Sequence, residues 1–198
     1  MTGLIQRSRR ARNLGAAVAV AALFAGTAGT AAAVPADGGD GGRGGDVQER
    51  TVDDDLVPVS AFEPPGAVTY DQALAPAGGW IQVRERKDRK GTTVTVRVRG
   101  LKPDHPFGMH VHQKPCGVDP EAAGKHYQHV SDPNLVNDEN EVWLDFTTNG
   151  SGDAEASAHH AWGLPKGAAG SVVLHREQGG AGDRVGCLTV PFGDFVAE

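Results

Sequence analysis

The chain has 198 residues, a formal net charge of −6, 28 glycines, 12 prolines and two cysteines. That length leaves room for about one domain of ordinary size once leader and linker are set aside. No basic stripe runs along it, which argues against a nucleic-acid-binding surface.

The first segment reads as an export signal. Met1 to Arg12 carries Arg7, Arg9, Arg10 and Arg12 and no acid, an apolar run rich in Ala, Val and Leu follows from Leu14 to Val34, and Ala31-Ala32-Ala33 offers small residues for cleavage. This is the order of a signal peptide, assigned to residues 1–33. The apolar run is nearly long enough to span a bilayer, but its Ala, Gly and Thr content makes it weakly hydrophobic, so no stable membrane anchor is expected after cleavage. Ser8-Arg9-Arg10 leaves the export route open between the general and twin-arginine systems. Residues 34–60 are read as a flexible tether, because the Gly- and Asp-rich stretch from Pro35 to about Val52 has almost nothing to bury against its ordering entropy. The only cysteines, Cys116 and Cys187, lie far from the leader and provide no lipid-attachment site, so a secreted or cell-envelope product is expected. Two cysteines in an exported chain argue for one disulfide, closing a loop that stabilises by about 4 kcal/mol in the chain-entropy model.

Residues 61–198 form the expected domain. Trp80 to Arg84 reads as a strand, Lys87-Asp88-Arg89-Lys90-Gly91 as a polar turn, and Val94, Val96 and Val98, alternating with Thr95, Arg97 and Arg99, as the second arm of a hairpin. Val142, Leu144 and Phe146 alternate with Trp143 and Asp145; Asn149-Gly150 turns the chain towards Ala154–Ser157; Val172 and Leu174 alternate with Val173 and His175; and Val185 to Val190 closes the series. Many short strands with Gly and Pro between them, and no long helical periodicity, predict an all-β antiparallel sandwich or barrel. The long irregular stretches, Gln113 to Asn140 and Ala161 to Gly170, are where function is expected.

Histidines bracket the first of these. His110-Val111-His112 ends a strand-like stretch; residues two apart project to one side roughly 6–7 Å apart along the chain, so two imidazoles there can share one metal. His126 follows Cys116 closely, and His175 ends the strand Ser171-Val172-Val173-Leu174-His175. Imidazole donors suit Cu, Zn, Fe or Ni, and a tetragonal all-nitrogen set favours copper. His159-His160 cannot make such a pair, because adjacent strand residues point to opposite faces, and His105 reads as a loop residue.

In the pieces Gly108-Met109-His110-Val111-His112, Gly124-Lys125-His126, Val172-Val173-Leu174-His175 and Gly182-Asp183-Arg184-Val185-Gly186-Cys187, in that order, the chain resembles the copper–zinc superoxide dismutase family over about Trp80 to Phe192. The resemblance implies a Greek-key β-barrel of sandwich type. It implies copper ligands at His110, His112, His126 and His175, a Cys116–Cys187 disulfide, a bridging and proton-carrying role for His126, and an anion-guiding role for Arg184. It implies dismutation of superoxide, a small anion, to dioxygen and hydrogen peroxide. A copper-binding or copper-delivery module on the same fold is the alternative, and the oligomeric state is left open.

Two features depart from the family pattern. No histidine occurs between His129 and His159, and the region Asn137 to Trp143 offers only carboxylates and amides, so zinc is not expected. Only Arg176 to Asp183 separates His175 from Arg184, so a shorter loop and a more open copper are expected. Both resemble the copper-only branch. Without zinc, the second nitrogen of His126 needs a partner, and Glu177, Asp138 and Glu141 are the candidates.

Overall fold

The computed structural model describes residues 47–59 and 66–195. The expected leader, residues 1–33, lies outside them, as does the tether up to residue 46. Two sheets carry the described strands. One holds, in spatial order, β1 (Gln48–Asp55), β4 (Trp80–Asp88), β5 (Gly91–Arg99) and β8 (Ala154–His160). The other holds β2 (Val57–Pro58), β3 (Ala67–Thr69), β10 (Arg184–Thr189), β9 (Ser171–His175), β6 (Pro106–His112) and β7 (Phe146–Thr147). All neighbours run antiparallel except β2 and β3. The chain crosses from β5 to β6, returns to pair β8 with β5, and crosses again to pair β9 with β6. These interleaved crossings give the all-β sandwich that the strand spacing predicts, in the Greek-key order that the resemblance implies.

The β4–β5 hairpin shows how the period-two pattern becomes structure. Ile81 faces Val98 and Val83 faces Val96 in register, and all four side chains are buried between the sheets. Glu85, opposite Val94, ends this row as a buried carboxylate that accepts from Gly193 N at 3.0 Å. The turn is tighter than expected: Arg89 and Lys90 alone separate the strands, and Gly91 follows with φ +129°. A Cβ there would lie 1.9 Å from the His160 carbonyl, so the hairpin requires glycine.

The tether assigned to residues 34–60 is corrected at its end. Gln48–Asp55 pairs with the whole of β4, and β2 follows it. This strand is acidic and mostly exposed, and only Val52 packs against the core. Its order comes from backbone ladder bonds and the Glu49–Arg84 ion pair, which composition does not reveal. The expected strand around Val142 to Phe146 is reduced to Phe146–Thr147. Val142 and Leu144 are buried as the alternation predicts, but their segment meets β6 through single bonds, Val111 N to Val142 O at 3.2 Å and Leu144 N to Met109 O at 2.7 Å.

Strand β6 turns Phe107, Met109 and Val111 into the main core, while β9 contributes Val172 and Leu174. Alternation then sends His110, His112, Val173 and His175 to the outer face of the second sheet. On that face Val68, Val173 and Cys187 join Cys116 and Ala123 in a smaller apolar cluster under the loop that follows β6. The Cys116–Cys187 disulfide, with Cα atoms 5.9 Å apart, fastens the loop to β10.

Candidate metal centre

Four side chains expected to act together do meet. One ring nitrogen each of His110, His112, His126 and His175 lies within 4.8 Å of the others, and among the described residues no other set of three or more His, Cys, Asp or Glu converges in this way. His110 and His112 arrive from β6 as the H-x-H spacing predicts. His175 sits opposite Gly108 in the β6–β9 ladder, and a Cβ on Gly108 would lie 2.3 Å from the Glu177 carbonyl, so glycine lets the turn after His175 close over the strand. His126 is placed by backbone pairing: Gln113 N donates to Lys125 O at 3.0 Å and Tyr127 N to Val111 O at 2.8 Å, which lays the loop along the end of β6.

The outward nitrogens explain why the rings face inward. His112 Nδ1 meets the Gly124 carbonyl at 3.1 Å, and His175 Nδ1 meets the Gly182 carbonyl at 3.0 Å. His126 Nδ1 meets Glu141 Oε2 at 2.7 Å. Each acceptor fixes the tautomer with the proton on Nδ1 and leaves Nε2 as the free donor pair. His110 is reversed. Its Nε2 lies 3.1 Å from Asp145 Oδ1, close in distance though off the line of a good hydrogen bond, and its buried Nδ1 has no partner. A buried ring nitrogen without a partner is costly unless something else engages it. With His112 Nε2 and His175 Nε2 only 3.3 Å apart, the four nitrogens fit a metal ion with an all-imidazole set.

Burial tunes the group. His112 is pushed down to about 2 and His175 to about 4, in both cases first by loss of water around the charged ring, with neighbouring histidines adding to it. His126 is lowered by the same burial and by His110, against the pull of Glu141. These rings stay neutral, the form in which imidazole binds a metal. Burial raises Asp145, but the close His110 ring and the hydrogen bonds donated by Gly179 N and Met109 N outweigh that and hold the carboxyl below its usual range.

Of the three acids considered for His126, Glu141 is the partner. It is 1 % exposed, and it also accepts from Trp143 Nε1 at 2.9 Å and from Gln128 Nε2 at 2.9 Å. Glu177 and Asp138 do not make that contact; the backbone of Glu177 lies against Gly108, and its carboxylate near Gly182. Asp145 was not foreseen, although the alternation that buries Leu144 and Phe146 already puts it on the face of β6's histidines. Trp143, whose ring centre lies 5.2 Å from that of His110, was visible by the same signal. The Gly124 and Gly182 carbonyls left no signal, because any residue supplies a backbone acceptor.

Arg184 opens β10 beside this group, 14 % exposed along its side chain. Its Nη1 donates to Pro120 O at 2.8 Å and its Nη2 to Gly124 O at 2.7 Å, the carbonyl that also holds His112. Glu121 Oε2 is 3.2 Å from Nη2. His159 and His160 do point to opposite faces, one exposed and one buried. His105 is more than a loop residue, since its Nε2 meets the Arg176 carbonyl at 2.8 Å and so braces the turn after His175.

No protein-family model matches the sequence, and no curated protein matches it. Among solved structures the fold is similar to the Cu/Zn superoxide dismutase from Brucella abortus, at 18 % identity over 72 % of this chain and 99 % of that one, with a TM-score of 0.49. It is similar also to a SOD-like protein from Bacillus subtilis, at 16 % identity over 63 % of this chain and 97 % of that one, with a TM-score of 0.41. What the site can do follows from its own geometry.

Proposed function

We propose that this protein is a copper-dependent superoxide dismutase acting outside the cytoplasm, of the kind that works without zinc. The observation that carries the reading is the convergence of four ring nitrogens, three of them aimed by acceptors on the opposite side of the ring. His110 through Nδ1, and His112, His126 and His175 through Nε2, would hold the ion. Copper, when bound, supplies the one-electron exchange by which two superoxide anions and two protons become dioxygen and hydrogen peroxide.

The residues do the rest. His110, His112 and His175 are 0 %, 0 % and 3 % exposed and act as a fixed frame. His126 is the ring nearest solvent, with 14 % of its side chain exposed. Held at Nδ1 by Glu141, it can take up and release a proton at Nε2 without losing its orientation. Arg184 is fixed on a carbonyl shared with His112 and attracts a small anion to that side of the group. Glu141 supports the zinc-free reading, because its carboxylate occupies the nitrogen of His126 that would otherwise face a second ion. The Cys116–Cys187 bond supports an oxidising compartment.

The test is elemental analysis of the purified protein together with superoxide decay. One copper, no zinc, fast decay, and a decline of about tenfold or more for Arg184→Ala are expected. Copper bound with no decay would leave a copper carrier on the same fold, and a protein that binds no copper would remove the reading altogether.

A further inference from the structure

Arg184 does not face solvent unopposed. Its two terminal nitrogens are engaged by the Pro120 and Gly124 carbonyls, and the face of Nη2 left over is met by the Glu121 carboxylate at 3.2 Å. The two partners differ in freedom. Arg184 is anchored by two backbone acceptors and is 14 % exposed, whereas the Glu121 side chain is 74 % exposed. Only the backbone of Glu121 is tied down, its N donating to Asp119 Oδ1 at 2.9 Å and its O accepting from Gly124 N at 3.0 Å. Rotation about its side-chain bonds therefore frees the guanidinium without moving the loop.

We propose that Glu121 is a built-in competitor at the anion subsite: its carboxylate occupies Arg184 as an external small anion would, and it sets the affinity of the site for such anions. The inference deepens the dismutase reading and rests on Arg184 serving as the anion guide. An ion pair whose carboxylate is largely exposed is weak, and an entering anion displaces that carboxylate easily. Losing Glu121 therefore tightens anion binding by about two- to fivefold, the range that an exposed pair spans. The effect shrinks as salt screens the pair.

Azide is the probe. Its affinity for the copper-loaded protein is measured from the azide-dependent absorption band in wild type, Glu121→Gln, Arg184→Ala, the Glu121→Gln/Arg184→Ala double variant, and Glu155→Gln. The last removes one negative charge from the outer side of the first sheet, where Glu155 pairs with Arg97, and controls for net charge. The expected result is binding about two- to fivefold tighter in Glu121→Gln, unchanged in Glu155→Gln, and with no gain from Glu121→Gln once Arg184 is absent. Equal affinities in Glu121→Gln and Glu155→Gln, or weaker binding in Glu121→Gln, overturn the competitor role while leaving the dismutase reading intact. If Arg184→Ala alone changes nothing, the guiding role of Arg184 fails and the competitor role with it. Should the protein bind no copper, the side-chain N–H resonance of Arg184 in the metal-free protein is followed during azide titration. A response that sets in at lower azide in Glu121→Gln than in wild type sustains the inference, and identical titrations end it.

Discussion

Two histidine-rich regions of this molecule end in opposite uses. In the first, His110, His112, His126 and His175 turn one nitrogen inward, and carboxylates or carbonyls stand at the outward nitrogen of each ring. In the second, His129 and His160 lay their rings against Trp162, with centres 4.7 and 4.1 Å from it, and His159 meets the Thr93 hydroxyl at 3.1 Å. There His129 and His160 serve as flat packing surfaces, His159 lies exposed, and among the described residues these rings converge on no shared point. The difference lies in what holds the far side of the ring. A histidine becomes ligand-ready when an acceptor fixes its tautomer and direction, and it becomes filler when a neighbouring ring fixes only its plane.

The sharpest way to break the comparison is to remove rings from each region. His112→Ala should abolish stoichiometric copper binding, read by elemental analysis after dialysis, whereas His159→Ala should leave one copper per chain. Next in size is the disulfide. Cys187→Ser should lower stability by about 2–5 kcal/mol in denaturant titration, and it should weaken copper binding too, because the bond fastens the loop carrying His126.

Acid gives a third contrast. In an unfolded chain these imidazoles take up protons below about pH 6.5, while folded His112 and His175 resist down to about 2 and about 4. Below pH 6.5 the unfolded state therefore binds more protons, and the metal-free protein loses about 1.4 kcal/mol per pH unit for each ring. The contribution of His175 levels off near its folded value of about 4. Above pH 6.5 this slope is absent; thermal unfolding of the metal-free protein from pH 8 to pH 4.5 checks it, and a flat profile would show that the rings charge without resistance.

Glu141→Gln should weaken copper binding about 10- to 100-fold. The amide keeps one acceptor but turns an N–H towards a donor, Gln128 on one side or His126 and Trp143 on the other; a competition titration with a chelator reads it. The smallest effect is expected from His129→Ala, a loss of about 0.5–1 kcal/mol from the Trp162 stack with copper affinity unchanged.

Much of this was legible in one dimension. The period-two valines of β5 located the hairpin, the H-x-H spacing located two ligands on one face, and two lone cysteines found each other across 71 residues. These are readable because alternation and residue chemistry are local properties. The strand Gln48–Asp55 was not readable, since its order comes from backbone pairing with β4 and its side chains look like tether. Asp145 stood in plain view, but its use depends on which histidine lies across from it.

The sequence by itself determined an all-β chain in which four of the eight histidines, both cysteines and Arg184 occur in a telling order, because strand period and side-chain chemistry are written residue by residue. Only the tertiary structure decided that Glu141, among three acids, holds His126, that the Gly124 carbonyl serves both His112 and Arg184, and that Glu121 lies across the guanidinium. Those are contacts between segments, and backbone acceptors and carboxylates are too common along a chain for spacing to single one out before the loops are laid over the sheet.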